Sequence, residues 1–155
     1  KEFNIPTIVD AAGPSLQSAL EAGPTIAKID HRFMSRMSGI SLTSLDNIIE
    51  VVSKLHDQGV EWAVTSYHVY GDVFFTPQGI YLAVSDRRSI LSLFATADAL
   101  ITGLIVGGEE RMAVEDRIRF AMACAWEDAM HVEKGFTSRE AIEALMPRVQ
   151  LERLE

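Results

Sequence analysis

Helix-patterned and strand-patterned segments alternate along this 155-residue chain, and that alternation limits the possible folds more than any other feature. Ser44 opens a stretch in which Leu45, Ile48, Ile49, Val52 and Leu55 recur at helical spacing up to Gly59. Trp62-Ala63-Val64-Thr65-Ser66 follows as a continuous run suited to a buried strand. The same order appears earlier. Thr7-Ile8-Val9 predicts a short strand, and Ser15 is expected to cap an amphipathic helix through Leu16, Ala19, Leu20 and Ala22 that Gly23-Pro24 closes. Thr25 to Ile29 predicts a second strand, and His31 to Met37 a helix stopped by Gly39. Further on, Val73 to Thr76 and Ile80 to Val84 predict a hairpin around Pro77-Gln78-Gly79. Two long helices are expected over Asp98 to Val106 and Met112 to Met130, with Gly107-Gly108 as the helix end and turn between them. Ser138 caps a last helix, Arg139 to Leu145, stopped by Pro147. Strands and helices in alternation imply an α/β domain of βα units, with helices flanking a mostly parallel sheet.

Composition then excludes several classes. A formal net charge of −8, with basic residues scattered, argues against a nucleic-acid surface. The one adjacent basic pair, Arg87-Arg88, reads as a solvated loop or as a contact for an anionic ligand. No apolar run reaches membrane-spanning length and no basic-then-apolar leader opens the chain, so the expectation is a cytoplasmic protein without a membrane partner. A lone cysteine fits a reducing compartment, and Cys124, inside the apolar run Phe120 to Trp126, is expected in the core. His31, His56, His68 and His131 lack metal-site spacing, and neither a P-loop nor a nucleophile elbow nor a dinucleotide fingerprint is present. Trp126 is expected to pack, whereas Glu127-Asp128 reads as a solvated face.

One segment carries chemistry. Leu91 to Phe94 is a short apolar run; Ala95-Thr96-Ala97 follows, and Asp98 leads into the apolar, helix-like stretch Ala99 to Gly103. Such a junction presents backbone N–H groups and a carboxylate at a helix start, a setting that favours bound anions. Asp98 either caps that helix or stands as an acid–base group.

The order of the pieces resembles the C-terminal half of the ribokinase/PfkB family of sugar kinases, in its branch of tagatose-6-phosphate kinase and 1-phosphofructokinase. Ala95-Thr96-Ala97-Asp98 stands where that family carries Gly-Ala-Gly-Asp, and Lys28-Ile29-Asp30 where it carries Lys-Pro-Asn. Thr7 to Asp10 followed by Gly13, Leu42-Thr43-Ser44-Leu45-Asp46, Gln58-Gly59 through Ser66, and Thr137 through Val149 are similar to further family segments. The resemblance implies a ribokinase-like fold over 1–155 as a single nucleotide-binding half, without the sugar-binding half and its lid. It implies ATP and Mg²⁺ as cofactors, with nucleotide and sugar phosphate as partners. By the same resemblance Asp98 is the catalytic base; Ala95, Thr96 and Ala97 form the anion hole; Lys28, Thr65, Ser66 and Gly71 contact the nucleotide; and Asp30 meets the metal.

The chain also departs from the family pattern. Methyl groups at positions 95 and 97 force a different turn or fill phosphate space, and each alanine held left-handed would cost about 1 kcal/mol or more. The family's Asn-x-x-Glu motif reads Asp30 and Phe33, and Tyr67 falls where a glycine is expected. The alternative function is therefore a catalytically inactive, kinase-like binding or assembly module. A sheet edge left uncovered by the missing half implies self-association into a homo-oligomer or a partner chain.

Overall fold

The computed structural model describes residues 5–42, 44–57, 59–68, 71–85 and 90–154; the Arg87-Arg88 pair lies outside them. The chain divides into two compact units, 1–81 with 153–155, and 82–152.

The first unit begins with two strand-to-helix steps that lead into a third strand. β1 (Ile8–Asp10) leads to α1 (Gly13–Glu21), β2 (Ile26–Ile29) to α2 (His31–Ser38) and α3 (Leu45–Asp57), and the chain then enters β3 (Trp62–His68). β1, β2 and β3 pair in parallel, with Ile8 opposite Ile26 and Ile26 opposite Trp62. Every residue of β2 is buried, as expected for a strand inside a parallel sheet. Leu16, Leu20, Ile48, Val51, Val52 and Leu55 are the buried stripes of α1 and α3. β3 then pairs antiparallel with β4 (Gly71–Thr76), and β5 (Gly79–Val84) completes the expected hairpin. The Thr76 hydroxyl closes that turn, accepting from the Gln78 N–H and donating to the Gly79 carbonyl. Among the described residues the sheet is thus mixed, six strands in the order β1-β2-β3-β4-β5-β6.

β6 (Gln150–Arg153) was not among the expected strands. It is short and mostly exposed, so it lacks the apolar run by which a strand is recognised. Within the first unit its end is fixed by the Leu154 N–H on the Ile80 carbonyl at 2.8 Å and by Arg153 Nη2 on the Gln78 carbonyl at 2.6 Å.

The second unit contains α4 (Thr96–Glu109), α5 (Val114–Ala129) and α6 (Arg139–Leu145), with a 3₁₀ turn over Met146–Arg148. Gly107-Gly108 does not end a helix at Val106; α4 runs through both glycines. Space explains them better than helix propensity. A Cβ on Gly103 would lie 2.5 Å from the Ala121 Cα, and one on Gly107 2.8 Å from the Arg117 Cγ, so α5 packs directly against the glycine face of α4. Arg117 Nε also donates to the Leu104 carbonyl at 2.8 Å. Cys124 is buried as expected, and burial, followed by the Glu127 carboxylate, pushes its thiol up to about 12.

Two expected helix starts are confirmed by their hydrogen bonds: Ser44 Oγ accepts from the Asn47 N–H and Ser138 Oγ from the Ala141 N–H. The start of α1 differs. Ala12 is its N-cap rather than Ser15, because Pro14, whose ring presets φ and which has no N–H to leave unpaired, occupies the first turn.

Candidate functional site

The start of α4 carries one of the two left-handed non-glycine residues among the described residues, the other being Arg111. Ala95 is the N-cap and adopts a left-handed conformation, φ 61° and ψ 5°. A Cβ in that region crowds the following carbonyl, which is why glycine usually occupies it. The chain therefore keeps a glycine-type turn with an alanine in it, whereas Ala97 lies inside the right-handed helix. The first helical bond runs from the Ala99 N–H to the Ala95 carbonyl at 3.0 Å. The amides of Thr96, Ala97 and Asp98 precede it, at the positive end of a 14-residue helix. Asp98 is exposed in the third helical position and does not cap the helix, so the capping alternative does not describe it. The Thr96 hydroxyl turns back to the Leu93 carbonyl at 3.0 Å, fixing the turn from behind.

The loop is anchored to the far end of α5. The N–H groups of Leu91 and Ser92 both donate to the Ala129 carbonyl, at 2.8 and 3.1 Å. Next to Ala129, Glu127 and Asp128 are 1% and 2% exposed, which corrects the expectation of a solvated face. They are buried because the following loop folds over them and supplies donors. Glu127 Oε1 accepts from the Thr137 N–H at 3.1 Å and lies 3.1 Å from His131 Nε2. Asp128 Oδ1 accepts from the Gly135 N–H at 3.3 Å, and its Oδ2 pairs with Lys134 Nζ at 3.1 Å. Trp126 packs as expected, with the Arg148 guanidinium 4.6 Å from its ring centre.

The first unit holds a separate polar group. Lys28 is 6% exposed, and its ammonium donates to Ser66 Oγ at 3.2 Å and faces Asp72 Oδ1 at 3.4 Å. Of the four residues expected to contact nucleotide in this part of the chain, the structure brings Lys28 and Ser66 into direct contact. Thr65 is fully buried on β3, and among the described residues its hydroxyl has no hydrogen-bond partner. Gly71 is buried at the start of β4, beside a register shift in the β3–β4 ladder between Ser66 and His68.

Asp30 works locally. It caps α2 by accepting from the Arg32 N–H at 2.8 Å, and Arg32 grips both carboxylate oxygens, at 3.1 and 2.9 Å. Among the described residues no cluster of three or more His, Cys, Asp or Glu side chains could hold a metal ion. No described helix is long and apolar enough to cross a membrane.

A left-handed turn leads into a helix that carries an exposed aspartate, in a chain whose parallel strands come first; the expectation that the methyl at position 95 forces a different turn does not describe Ala95. The family model of the pfkB family carbohydrate kinases matches residues 1–134. The chain belongs to this family. It is 25% identical over 154 residues to the 1-phosphofructokinase of Bacillus subtilis, covering 99% of this chain and 50% of that one. Against the 1-phosphofructokinase of Escherichia coli K12 it is 28% identical, over 94% of this chain and 46% of the relative. Phosphofructokinase-2 from Escherichia coli, solved in complex with substrates and products, superposes with a TM-score of 0.85 at 18% identity, covering 94% of this chain and 48% of that one. The chain thus spans about half the length of the relatives it matches, and the fold is the ribokinase-like α/β fold of the PfkB family.

Sequence reasoning missed Asp72, Lys134 and the burial of Glu127 and Asp128 in this PfkB chain. The four-residue spacing of Glu127 and His131, from the last turn of α5 into the loop beyond it, was a usable signal for the last of these. Asp72 and Lys134 act through contacts 44 and 42 residues away, with Lys28 and Ser92, which no local pattern reveals.

Proposed function

We propose that this chain is the nucleotide-binding part of an ATP-dependent kinase that phosphorylates a sugar or sugar phosphate, with Asp98 as its base. The observation that carries the reading is the start of α4, where three amides and an exposed carboxylate follow a retained left-handed turn. MgATP supplies the phosphoryl group in such a reaction. The amides of Ala95, Thr96 and Ala97 are assigned to the anion hole by the family resemblance, the last two being among the three that precede the first helical bond, and there fixed N–H dipoles oppose the charge that builds on the transferring phosphate. Asp98 accepts the proton of the attacking hydroxyl. Its contribution rests on position, at the third residue of α4 beside the amides assigned to the phosphate.

In the first unit, Lys28, Thr65, Ser66 and Gly71 are assigned to the nucleotide, supported by the buried ammonium and by the unpartnered Thr65 hydroxyl. Asp30 is assigned to hydrated Mg²⁺, an oxygen-seeking ion that keeps several of its waters, and reaching it means competing with Arg32. Assembly into a homo-oligomer or with a partner chain, and a cytoplasmic location, belong to the same proposal.

A second reading, a binding module without catalysis, is favoured by one observation: Arg32 already occupies both oxygens of Asp30. Titration calorimetry with MgATP and MgADP separates the two. The kinase reading expects saturable heat from the folded chain, and its absence overturns that reading in favour of the binding module. With the sugar-binding part of such a kinase supplied, Asp98→Asn is expected to keep nucleotide binding while losing phosphoryl transfer by about a hundredfold or more. Undiminished transfer would remove Asp98 from its role.

A further inference from the structure

Lys28 is the one charged residue of β2, a strand whose every residue is buried. A lysine in such a place is rare unless an opposite charge holds it. Lys28 pairs with Val64 across the β2–β3 ladder, and Ser66, two residues further along β3, pairs with Asp72 on β4. Side chains alternate along a strand, so Lys28, Ser66 and Asp72 share one face of the sheet. Regular pairing ends at that point. The β3–β4 register shifts between Ser66 and His68, an irregularity of the kind that re-aims side chains beside functional sites.

The contacts within this group are loose. Ser66 Oγ accepts from the Lys28 ammonium at 3.2 Å, and Asp72 Oδ1 faces it at 3.4 Å. A lysine head has three N–H donors, and charge-assisted bonds usually measure about 2.7–2.9 Å. Among the described residues Asp72 Oδ1 is buried and completes no hydrogen bond, although the ammonium is its neighbour. A pair built only to hold the sheet together would close that gap. This one balances charge while leaving donors of Lys28 unused, and its two side chains are 8% and 15% exposed.

On the reading that assigns Lys28 to the nucleotide, we propose that Asp72 is an internal stand-in for a phosphate: its carboxylate takes the place of a phosphate oxygen on the Lys28 ammonium and is the group that a polyphosphate must displace. Asp72 thereby sets how tightly this chain binds phosphate. The carboxylate cancels the attraction of the ammonium and adds like-charge repulsion, and both effects are strong where water is scarce. Asp72→Asn keeps the shape, removes the charge and leaves a buried ammonium without an opposite charge. A phosphate oxygen from solution then supplies that charge. A purely structural ion pair also predicts that Asp72→Asn lowers stability, but it predicts no gain in phosphate affinity.

Thermal unfolding and calorimetry of the full chain test this with inorganic tripolyphosphate, free of Mg²⁺, at constant ionic strength. The unaltered chain is compared with Asp72→Asn and with the double variant Lys28→Met/Asp72→Asn. Asp72→Asn is expected to unfold at a lower temperature and to recover saturably as tripolyphosphate is added, as mass action requires of a ligand that binds only the folded state. It is expected to bind tripolyphosphate about tenfold more tightly than the unaltered chain, or better. The double variant, with neither charge, is expected to fold and to lose that response. An Asp72→Asn chain that folds only in tripolyphosphate supports the proposal equally.

Equal affinity in the unaltered chain and Asp72→Asn overturns the proposal, as does an Asp72→Asn chain that stays unfolded at every tripolyphosphate concentration. So does a tightened response that survives in the double variant, since the anion would then sit elsewhere. A double variant less stable than Asp72→Asn overturns it as well, because Lys28 would then be holding the fold rather than carrying an unbalanced charge. The nucleotide reading is decided separately, by MgATP on the unaltered chain. Saturable MgATP binding without the tripolyphosphate difference removes the role of Asp72 and keeps the nucleotide; a Lys28-dependent difference without MgATP binding does the opposite.

Discussion

The two ends of α4 use glycine and alanine in opposite ways. At the start, where the backbone is left-handed and glycine would be at ease, the residue is Ala95. Further along, where the backbone is an ordinary right-handed helix that alanine suits better, the chain has Gly103, Gly107 and Gly108. The first place asks for freedom in φ and tolerates its absence. The second asks for the absence of a side chain, because the Ala121 backbone lies where a methyl group on Gly103 would be. A glycine in a sequence signals one need or the other without saying which, and the conformation decides.

Substitutions at these positions test that contrast. Gly103→Ala carries the largest effect: despite higher helix propensity it is expected to destabilise the chain by about 2–3 kcal/mol, read from urea unfolding, because backbone rather than a flexible side-chain tip must move. A neutral or stabilising outcome would mean that α5 can give way. Ala95→Gly should do the reverse, stabilising by about 1 kcal/mol as left-handed strain is released. Ala97→Gly, two residues on, should change sign again and cost about 0.5 kcal/mol, since that position is helical. If both glycine variants shifted stability in the same direction, the left-handed assignment of Ala95 alone would fail.

The smallest effect concerns the far end of α4. The Glu110 carboxylate is held below its usual range, chiefly by its hydrogen bonds with Arg139, one of them at 2.7 Å from Nη2 to Oε2. A carboxylate with a lowered folded value contributes stability that is present above its ordinary value of 4.5 and is lost as the pH falls through the folded value. Arg139→Ala should therefore lower the unfolding temperature near neutral pH by no more than about 2 °C, with the difference from the unaltered chain shrinking in acid. A difference that grows in acid would contradict the sign.

Much of the first unit was legible in the sequence because each of its elements announces itself locally. Ile48, Val52 and Leu55 mark a helix by spacing, Trp62 to Thr65 a buried strand by continuity, and Pro77-Gln78-Gly79 a turn. β6 was hidden because a short exposed strand is defined by its partner rather than by its own pattern. The Leu91–Asp98 segment was recognised as a helix start, and the order of segments carried the family. Its support was not legible. Glu127-Asp128 reads as a charged surface pair until the loop through Lys134, Gly135 and Thr137 is seen to fold over it with donors. Asp30 likewise reads as a candidate metal contact until the Arg32 guanidinium is seen on both of its oxygens.

The left-handed alanine has a further consequence. A glycine at that point samples many backbone states, and an incoming anion would have to select one of them at an entropic cost. Ala95, with far fewer states open to it and the Thr96 hydroxyl latched behind it, leaves little conformational freedom to lose when an anion settles onto the amides that follow. The strain that lowers the stability of the fold is also preorganisation: the chain holds a receptor shape before there is anything to receive.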